Sequence, residues 1–139
     1  MPRRAGGRLS GLTQVRPAIL VIDDNERTRK SFSVVLWAAG FEVQNAEDGL
    51  DALQNIRNRV PDLIILDLDM PRFNVVAFHR QLVTNHATRT VPVIAMTAID
   101  TLSPVPVADQ LKKPIAGELL VTAVKRALSA ARSDSTSAT

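Results

Sequence analysis

Residues 61–71 read PDLIILDLDMP. The apolar residues 63–66 stand without interruption between Asp62 and Asp67. A continuous apolar run of this length, introduced by Pro61 and closed by an acid, is typical of a short strand that is buried on both faces. Because such strands need a cover on each side, the segment predicts a parallel sheet between two layers of helices.

The flanking sequence repeats this pattern and alternates it with helical periodicity. Further strands are predicted where apolar runs or alternation recur, at residues 18–22, 41–46 and 91–96. Apolar residues at helical spacing predict helices over residues 26–39, 48–58, 75–83 and 119–128. Asn25 is the predicted N-cap of the first helix, and Gly40 is predicted just after its end. Strands that alternate with helices predict βα units and therefore a parallel sheet.

The segment between Thr97 and Lys113 breaks this alternation. A helix and a fifth strand are expected there, but Pro104 and Pro106 oppose a regular helix interior. The sequence therefore predicts that the fourth helix is shortened or missing. We expect residues 99–108 to form an irregular, mobile loop. The fifth strand is predicted at Asp109–Lys112, although these residues are poor strand formers.

Length and composition indicate one globular domain. The chain has 139 residues, 45% hydrophobic and 22% charged, which are ordinary values for such a domain. We predict a domain over residues 17–130 between a basic tail, 1–16, and a polar tail, 131–139. The absence of cysteine excludes disulfides, thiolate metal sites and cysteine nucleophiles. No apolar run is long enough to span a membrane.

The basic charge is concentrated at the N-terminus. The net charge is +3, from 17 basic and 14 acidic residues, and the first 16 residues hold four arginines and no acid. A basic tail can attract nucleic acid or anionic lipid. This one has no aromatic residues to stack on bases, so we interpret it as a disordered, solubilising leader and expect neither a nucleic-acid nor a membrane partner.

Acidic residues directly follow two of the predicted strands. Asp23 and Asp24 follow the first strand and Asp67 follows the third. The carboxyl ends of parallel strands lie at one edge, so these carboxylates converge if the first and third strands are neighbours, and a divalent cation such as Mg²⁺ would then relieve their repulsion. Thr97 and Lys113 bring a hydroxyl and an ammonium to the same edge. These groups together suit phosphoryl transfer to an aspartate.

Four segments in this order resemble the receiver domain of bacterial two-component response regulators: LVIDDNE at 20–26, PDLIILDLDMP at 61–71, VIAMTA at 93–98 and KKPI at 112–115. The resemblance covers about residues 17–130. It implies a flavodoxin-like, doubly wound α/β fold with a five-stranded parallel sheet in the order 2-1-3-4-5. Helices would cover both faces, here with the fourth shortened or missing.

The resemblance also implies roles for individual residues. Asp67 matches the phosphoryl acceptor, Thr97 the switch hydroxyl and Lys113 the lysine that contacts the phosphoryl group. The implied magnesium ligands are three side chains and one backbone carbonyl: those of Asp23, Asp24 and Asp67, and the carbonyl of Asp69. The family further implies a cytoplasmic signalling protein rather than an enzyme, with a histidine kinase or phosphotransfer protein as phosphoryl donor and output through contact with another protein.

The chain departs from the family pattern around the switch. Residues 72–75 replace a usual Asp-Gly pair, and Gln110 stands where an aromatic switch residue is usual. Gln110 and the shortened fourth crossover favour a second hypothesis, a degenerate receiver that binds partners without phosphorylation. We expect dimerisation through the usual fourth-helix face to be weak or absent. The sequence leaves the oligomeric state, the kinase and the downstream partner open.

A third hypothesis rests on the DxD pattern of Asp67, Leu68 and Asp69. It fits the nucleophile motif of haloacid-dehalogenase-like phosphatases, which also need acids downstream of their lysine. Only Glu118 and Asp134 follow Lys113 here, and the acidic pair lies upstream instead. We therefore rank the phosphatase last.

Overall fold

The structure, a computed structural model, describes residues 15–137, and strands alternate with helices along them except that the last two strands follow one another without a helix. Residues 1–14 of the predicted basic tail and 138–139 of the predicted polar tail lie outside the described residues. The strands are β1 (Ala18–Ile22), β2 (Glu42–Ala46), β3 (Leu63–Asp67), β4 (Val93–Thr97) and β5 (Asp109–Lys112). The helices are α1 (Glu26–Ala38), α2 (Gly49–Asn58), α3 (Val75–Thr84) and α4 (Gly117–Ser137).

The five strands form one parallel sheet in the order β2-β1-β3-β4-β5. The flavodoxin-like fold and the strand order that the resemblance implies are therefore confirmed. Every residue of β1, β3 and β4 is buried, whereas β2 and β5 are partly exposed. The continuous apolar runs are the strands with a neighbour on each side and helices on both faces.

Successive residues of the central strands point into two separate cores. On one face, Ile19 and Val21 of β1 pack with residues of α1 and α4, among them Leu36 and Leu120. On the other face, Leu20 and Ile22 pack with α2 and α3, including Ile56, Phe78 and Leu82. Each fully buried leucine or isoleucine contributes roughly 1.5–3 kcal/mol. The central strands thus hold the sheet rigid beneath its carboxyl edge.

The ends of α1 follow the predicted capping residues. Asn25 is the N-cap, and its side chain accepts a hydrogen bond from the backbone N of Thr28 at 3.0 Å. After the helix, Gly40 has a φ of 101°, where a Cβ atom would cause strain. Its N–H donates to the carbonyl of Trp37, and the N–H of Phe41 donates to the carbonyl of Leu36, both at 3.0 Å. These two bonds form a Schellman motif.

The largest boundary differences from the sequence prediction lie at the start of β4 and at the ends of α4. β4 begins at Val93 rather than at residue 91, and it extends to Thr97. Pro92 before it has no N–H to donate, although its carbonyl accepts from Ile64 N at 3.0 Å. Helix α4 continues past residue 130 to Ser137, because no glycine or proline interrupts it after Gly117. No helix in residues 15–137 combines the length and apolarity that crossing a bilayer requires.

The chain between β4 and β5 forms no helix. The prediction of a shortened or missing fourth helix is therefore confirmed, and residues 99–108 are irregular as expected. Pro104 and Pro106 interrupt the segment, and Val105 between them is buried. The mobility of this loop stays a prediction.

Gln110 of β5 braces this loop through its side-chain amide. Its Oε1 accepts a hydrogen bond from Ser103 N at 2.8 Å, and its Nε2 donates to the carbonyl of Thr101. The hydroxyl of Ser103 in turn donates to the carbonyl of Val105 at 2.7 Å. A polar side chain that fixes the loop thus stands where the resemblance leads to an aromatic residue.

We expect Gln110→Leu to loosen this loop without unfolding the sheet. Losing the acceptor leaves Ser103 N without its partner, so its amide should exchange with solvent roughly fivefold faster, equivalent to one hydrogen bond of about 1 kcal/mol. Hydrogen exchange followed by NMR measures this. The matched control is Gln44→Leu on β2, which should leave Ser103 unchanged. Equal exchange in wild type and Gln110→Leu would contradict the bracing role.

Candidate functional site

Three carboxylates converge at the carboxyl edge of the sheet. Asp67 ends β3 and Asp23 follows β1, and the pairing of Ile22 with Leu66 places the two ends side by side. One oxygen each of Asp23, Asp24 and Asp67 lies within 4.8 Å of the others. Asp23 and Asp67 are 1% and 2% exposed, whereas Asp24 is open to solvent. The structure therefore brings together the three acids that the sequence predicted to meet.

Asp23 carries a buried carboxylate oxygen that lacks a partner. Its Oδ1 accepts from the backbone N of Asn25 at 2.8 Å, but its Oδ2 is buried and has no hydrogen-bond partner within residues 15–137. Burial, opposed by the Asn25 hydrogen bond, and the neighbouring charge of Asp67 together raise the pKa of Asp23 to about 6. An unpaired carboxylate oxygen among acids is what a cation would satisfy.

The acidic cluster suits a magnesium ion. Mg²⁺ prefers hard oxygen ligands, keeps several waters and usually takes one or two carboxylates directly. The buried Asp23 and Asp67 with the exposed Asp24 offer such oxygens on one side and leave the other side open to water. These three side chains could therefore hold the ion.

Lys113 faces the same cluster from the end of β5. Its backbone N donates to the carbonyl of Thr97 at 2.9 Å, and a cis peptide bond joins it to Pro114. The Lys113 Nζ lies 2.7 Å from Asp67 Oδ1 and 3.2 Å from Asp69 Oδ2. Although burial acts to lower it, the pKa of Lys113 is raised, because Asp67 and Asp69 accept hydrogen bonds from the ammonium and the charges of Asp67 and Asp23 attract it. The ammonium is thus held beside Asp67.

Asp69 has a role that the sequence prediction missed. The resemblance implies only a backbone carbonyl for the metal, and that role stays a prediction. In the structure its side chain turns to the end of β4, where Oδ1 accepts from the Thr97 hydroxyl at 2.7 Å and Oδ2 from Ala98 N at 2.8 Å. Although burial acts to raise it, the pKa of Asp69 is lowered by these hydrogen bonds and by Lys113. The sequence signal that could have indicated this side-chain role is the presence of an acid two residues after Asp67, the predicted phosphoryl acceptor.

The loop after Met70 and Pro71 is closed by apolar packing. The ring centroids of Phe73 and Phe78 lie 5.2 Å apart, and Phe73 N donates to the carbonyl of Met70 at 3.2 Å. Asn74 then caps α3 by accepting from Ala77 N. Residues 72–75 therefore lead into α3 at Val75 without the glycine that the family pattern usually has.

Curated proteins related to this chain are response regulators. Response regulator MprA of Mycobacterium sp. (strain KMS) is 34% identical over 116 residues, 79% of this chain and 50% of that protein. Polar-differentiation response regulator DivK of Brucella ovis is 33% identical over 81 residues, 58% of this chain and 66% of that protein. The chain spans about half the length of the mycobacterial relatives it matches.

Solved structures and a family model agree with these relatives. Chemotaxis response regulator CheY4 of Vibrio cholerae superposes with a TM-score of 0.73 at 27% identity, covering 81% of this chain and 99% of that one. A putative response regulator of Chloroflexus aurantiacus gives 0.75 at 29% identity, covering 83% and 99%. The model of the response regulator receiver domain matches residues 19–125. With its fold and acidic edge, the chain belongs to the response regulator receiver domain family of two-component signalling.

Proposed function

We propose that Asp67 accepts a phosphoryl group from a phosphohistidine of a histidine kinase or phosphotransfer protein. The phosphorylated chain then signals by contact with another protein, in the cytoplasm. One observation carries this proposal: the buried Asp67 carboxylate lies between the Lys113 ammonium, at 2.7 Å, and the acidic pair of Asp23 and Asp24. A nucleophile, a cation and a set of metal ligands thus share one edge of the sheet.

The proposed transfer needs little chemistry from the protein beyond position and charge. A carboxylate oxygen of Asp67 bonds to phosphorus while the bond from phosphorus to the donor imidazole nitrogen breaks, and the electron pair stays on that nitrogen. Lys113 holds Asp67 in place and offers its positive charge to the incoming phosphoryl oxygens. Asp23, Asp24 and Asp67 would hold magnesium, which supplies positive charge at the phosphoryl oxygens when bound.

A small-molecule phosphoryl donor tests this proposal. Incubation with acetyl phosphate and Mg²⁺ is expected to add one phosphoryl group to the wild-type chain, seen by intact-mass spectrometry, and none to Asp67→Asn. The control is Asp100→Asn, which removes an exposed carboxylate that pairs with Lys112 and should be modified like wild type. Unmodified wild-type protein, or modification that persists in Asp67→Asn, would count against Asp67 as the acceptor.

A degenerate receiver remains the second candidate for two reasons. The helix that the family pattern expects between β4 and β5 is absent, and Gln110 braces the loop that stands in its place. A folded chain that binds its partner equally with and without acetyl phosphate would favour this candidate. We propose no enzymatic turnover: Glu118, the first acid after Lys113, is exposed on α4 and does not join the cluster of Asp23, Asp24 and Asp67.

A further inference from the structure

The side chain of Asp69 is held by three donors at once. The Thr97 hydroxyl donates to one oxygen at 2.7 Å, and Ala98 N donates to the other at 2.8 Å. The Lys113 Nζ lies 3.2 Å from that second oxygen. A hydroxyl, a backbone N–H and an ammonium that converge on one carboxylate form a binding site for an anion.

The same site adjoins the proposed phosphoryl acceptor. Lys113 bridges the two acids, since its Nζ also lies 2.7 Å from Asp67 Oδ1. The backbone N of Asp69 donates to that oxygen as well, at 2.9 Å. A phosphoryl group on Asp67 would therefore lie beside these donors, and it would bring additional negative charge next to the Asp69 carboxylate.

We propose that Asp69 is an internal competitor of the phosphoryl group. Its carboxylate occupies, in the unphosphorylated chain, the three donors that a phosphoryl group on Asp67 would use. This inference rests on the proposed function and names a further residue that controls the same site. Phosphorylation must displace the carboxylate, so its hydrogen bonds and its charge oppose phosphoryl binding.

The arrangement has a second consequence for Thr97. Its hydroxyl already points at the acceptor edge through Asp69, before any phosphoryl group is present. A ligand shifts a conformational equilibrium only by the difference in its affinity for the two states. Here the phosphoryl group would replace the Asp69 carboxylate as the acceptor for the same hydroxyl, so the difference in affinity between the two states is small. Phosphorylation therefore moves Thr97 less than it would move a hydroxyl that starts without a partner.

Binding of the phosphoryl analogue beryllofluoride tests the competitor. With saturating Mg²⁺, we expect the dissociation constant of beryllofluoride to fall roughly tenfold in Asp69→Asn and further in Asp69→Ala, relative to wild type. Asparagine keeps the shape and one acceptor but loses the charge, whereas alanine removes the competitor. Both variants keep the backbone carbonyl of residue 69. NMR titration of the Ala98 amide gives the dissociation constants and shows directly whether that donor changes partner.

The control separates competition from net charge. Asp100→Asn removes one negative charge from the loop after β4 without touching the three donors, and it should bind beryllofluoride like wild type. Equal or weaker binding in the Asp69 variants would overturn the inference, and so would the same gain in Asp100→Asn. If beryllofluoride binds none of the four proteins, the proposed function fails and the inference fails with it. Equal binding in all four removes the inference alone.

Discussion

Asp23→Asn is expected to stabilise the metal-free protein at neutral pH while abolishing its stabilisation by magnesium. The folded state raises the pKa of Asp23 from 3.8 to about 6, mainly through burial. Folding then binds a proton that the unfolded chain has released between these two values, so metal-free stability falls as pH rises from about 4 to about 6. Above that range the ionised carboxylate carries its full cost.

The size of this effect follows from the pKa shift. About two pKa units correspond to at most about 3 kcal/mol, and solvent next to the open side of the cluster reduces this, so we expect a gain of about 1–2 kcal/mol. Asparagine keeps the acceptor for Asn25 N and removes the charge. Urea unfolding in EDTA at about pH 5 and about pH 7.5 measures it, and the variant should lose most of the pH dependence of wild type.

Magnesium supplies the second arm of this experiment. Magnesium at 100 times its dissociation constant should stabilise the wild type by about 2.7 kcal/mol, and Asp23→Asn should lose most of that gain. Asp24→Asn is the control, because Asp24 is exposed and its loss should weaken magnesium binding with little gain in EDTA. If Asp23→Asn destabilises the metal-free protein, the charge of Asp23 does not oppose folding; if the variant responds to magnesium like wild type, Asp23 is not a metal ligand.

Lys113→Met is expected to destabilise the protein by about 2–4 kcal/mol in EDTA. The change leaves the buried Asp67 without its cationic partner and keeps Asp23 and Asp69 close by. Because the pKa of Lys113 is raised, the stability it contributes is complete below the unfolded value of 10.5 and is lost as pH rises through the folded value. The difference between wild type and variant should therefore shrink in strongly alkaline solution.

Two further variants serve as controls for the destabilisation expected in Lys113→Met. Lys112→Met removes the neighbouring lysine, whose ion pair with Asp100 is largely exposed, and should cost about 0–1 kcal/mol. Asp67→Asn in the Lys113→Met background should recover most of the loss, because the charge that Lys113 compensates is then absent. Equal costs for Lys112→Met and Lys113→Met would show that Lys113 does not hold Asp67 in the folded protein.

Local sequence determined the elements of this fold. Continuous apolar runs predicted β1, β3 and β4, since these strands have a neighbour on each side and helices on both faces. The two prolines at 104 and 106 predicted the missing helix, because proline removes a donor and restricts the preceding residue. The order of the strands came only from the family resemblance, because periodicity does not say which strands are neighbours.

The positions of the acids were also predictable from sequence. Residues that follow parallel strands lie at one edge of the sheet, so Asp23, Asp24 and Asp67 could be expected to meet once the resemblance made the first and third strands neighbours. The difference in burial between Asp23 and Asp24 was not predictable. Asp23 is buried and Asp24 is exposed, although they are adjacent in sequence and both follow β1.

Only the tertiary structure decided what Asp69 and Gln110 do. Asp69 accepts a hydrogen bond from the Thr97 hydroxyl, 28 residues away in the sequence. Gln110 accepts one from the backbone N of Ser103, 7 residues before it. A polar side chain of this kind can hydrogen-bond to any of several nearby groups. The choice among them leaves no periodic pattern in the sequence. The pairing of β3 with β4, and the path of the loop between β4 and β5, bring one set of donors and acceptors within reach. Hydrogen bonds require that distance and direction, and the folded chain alone sets both.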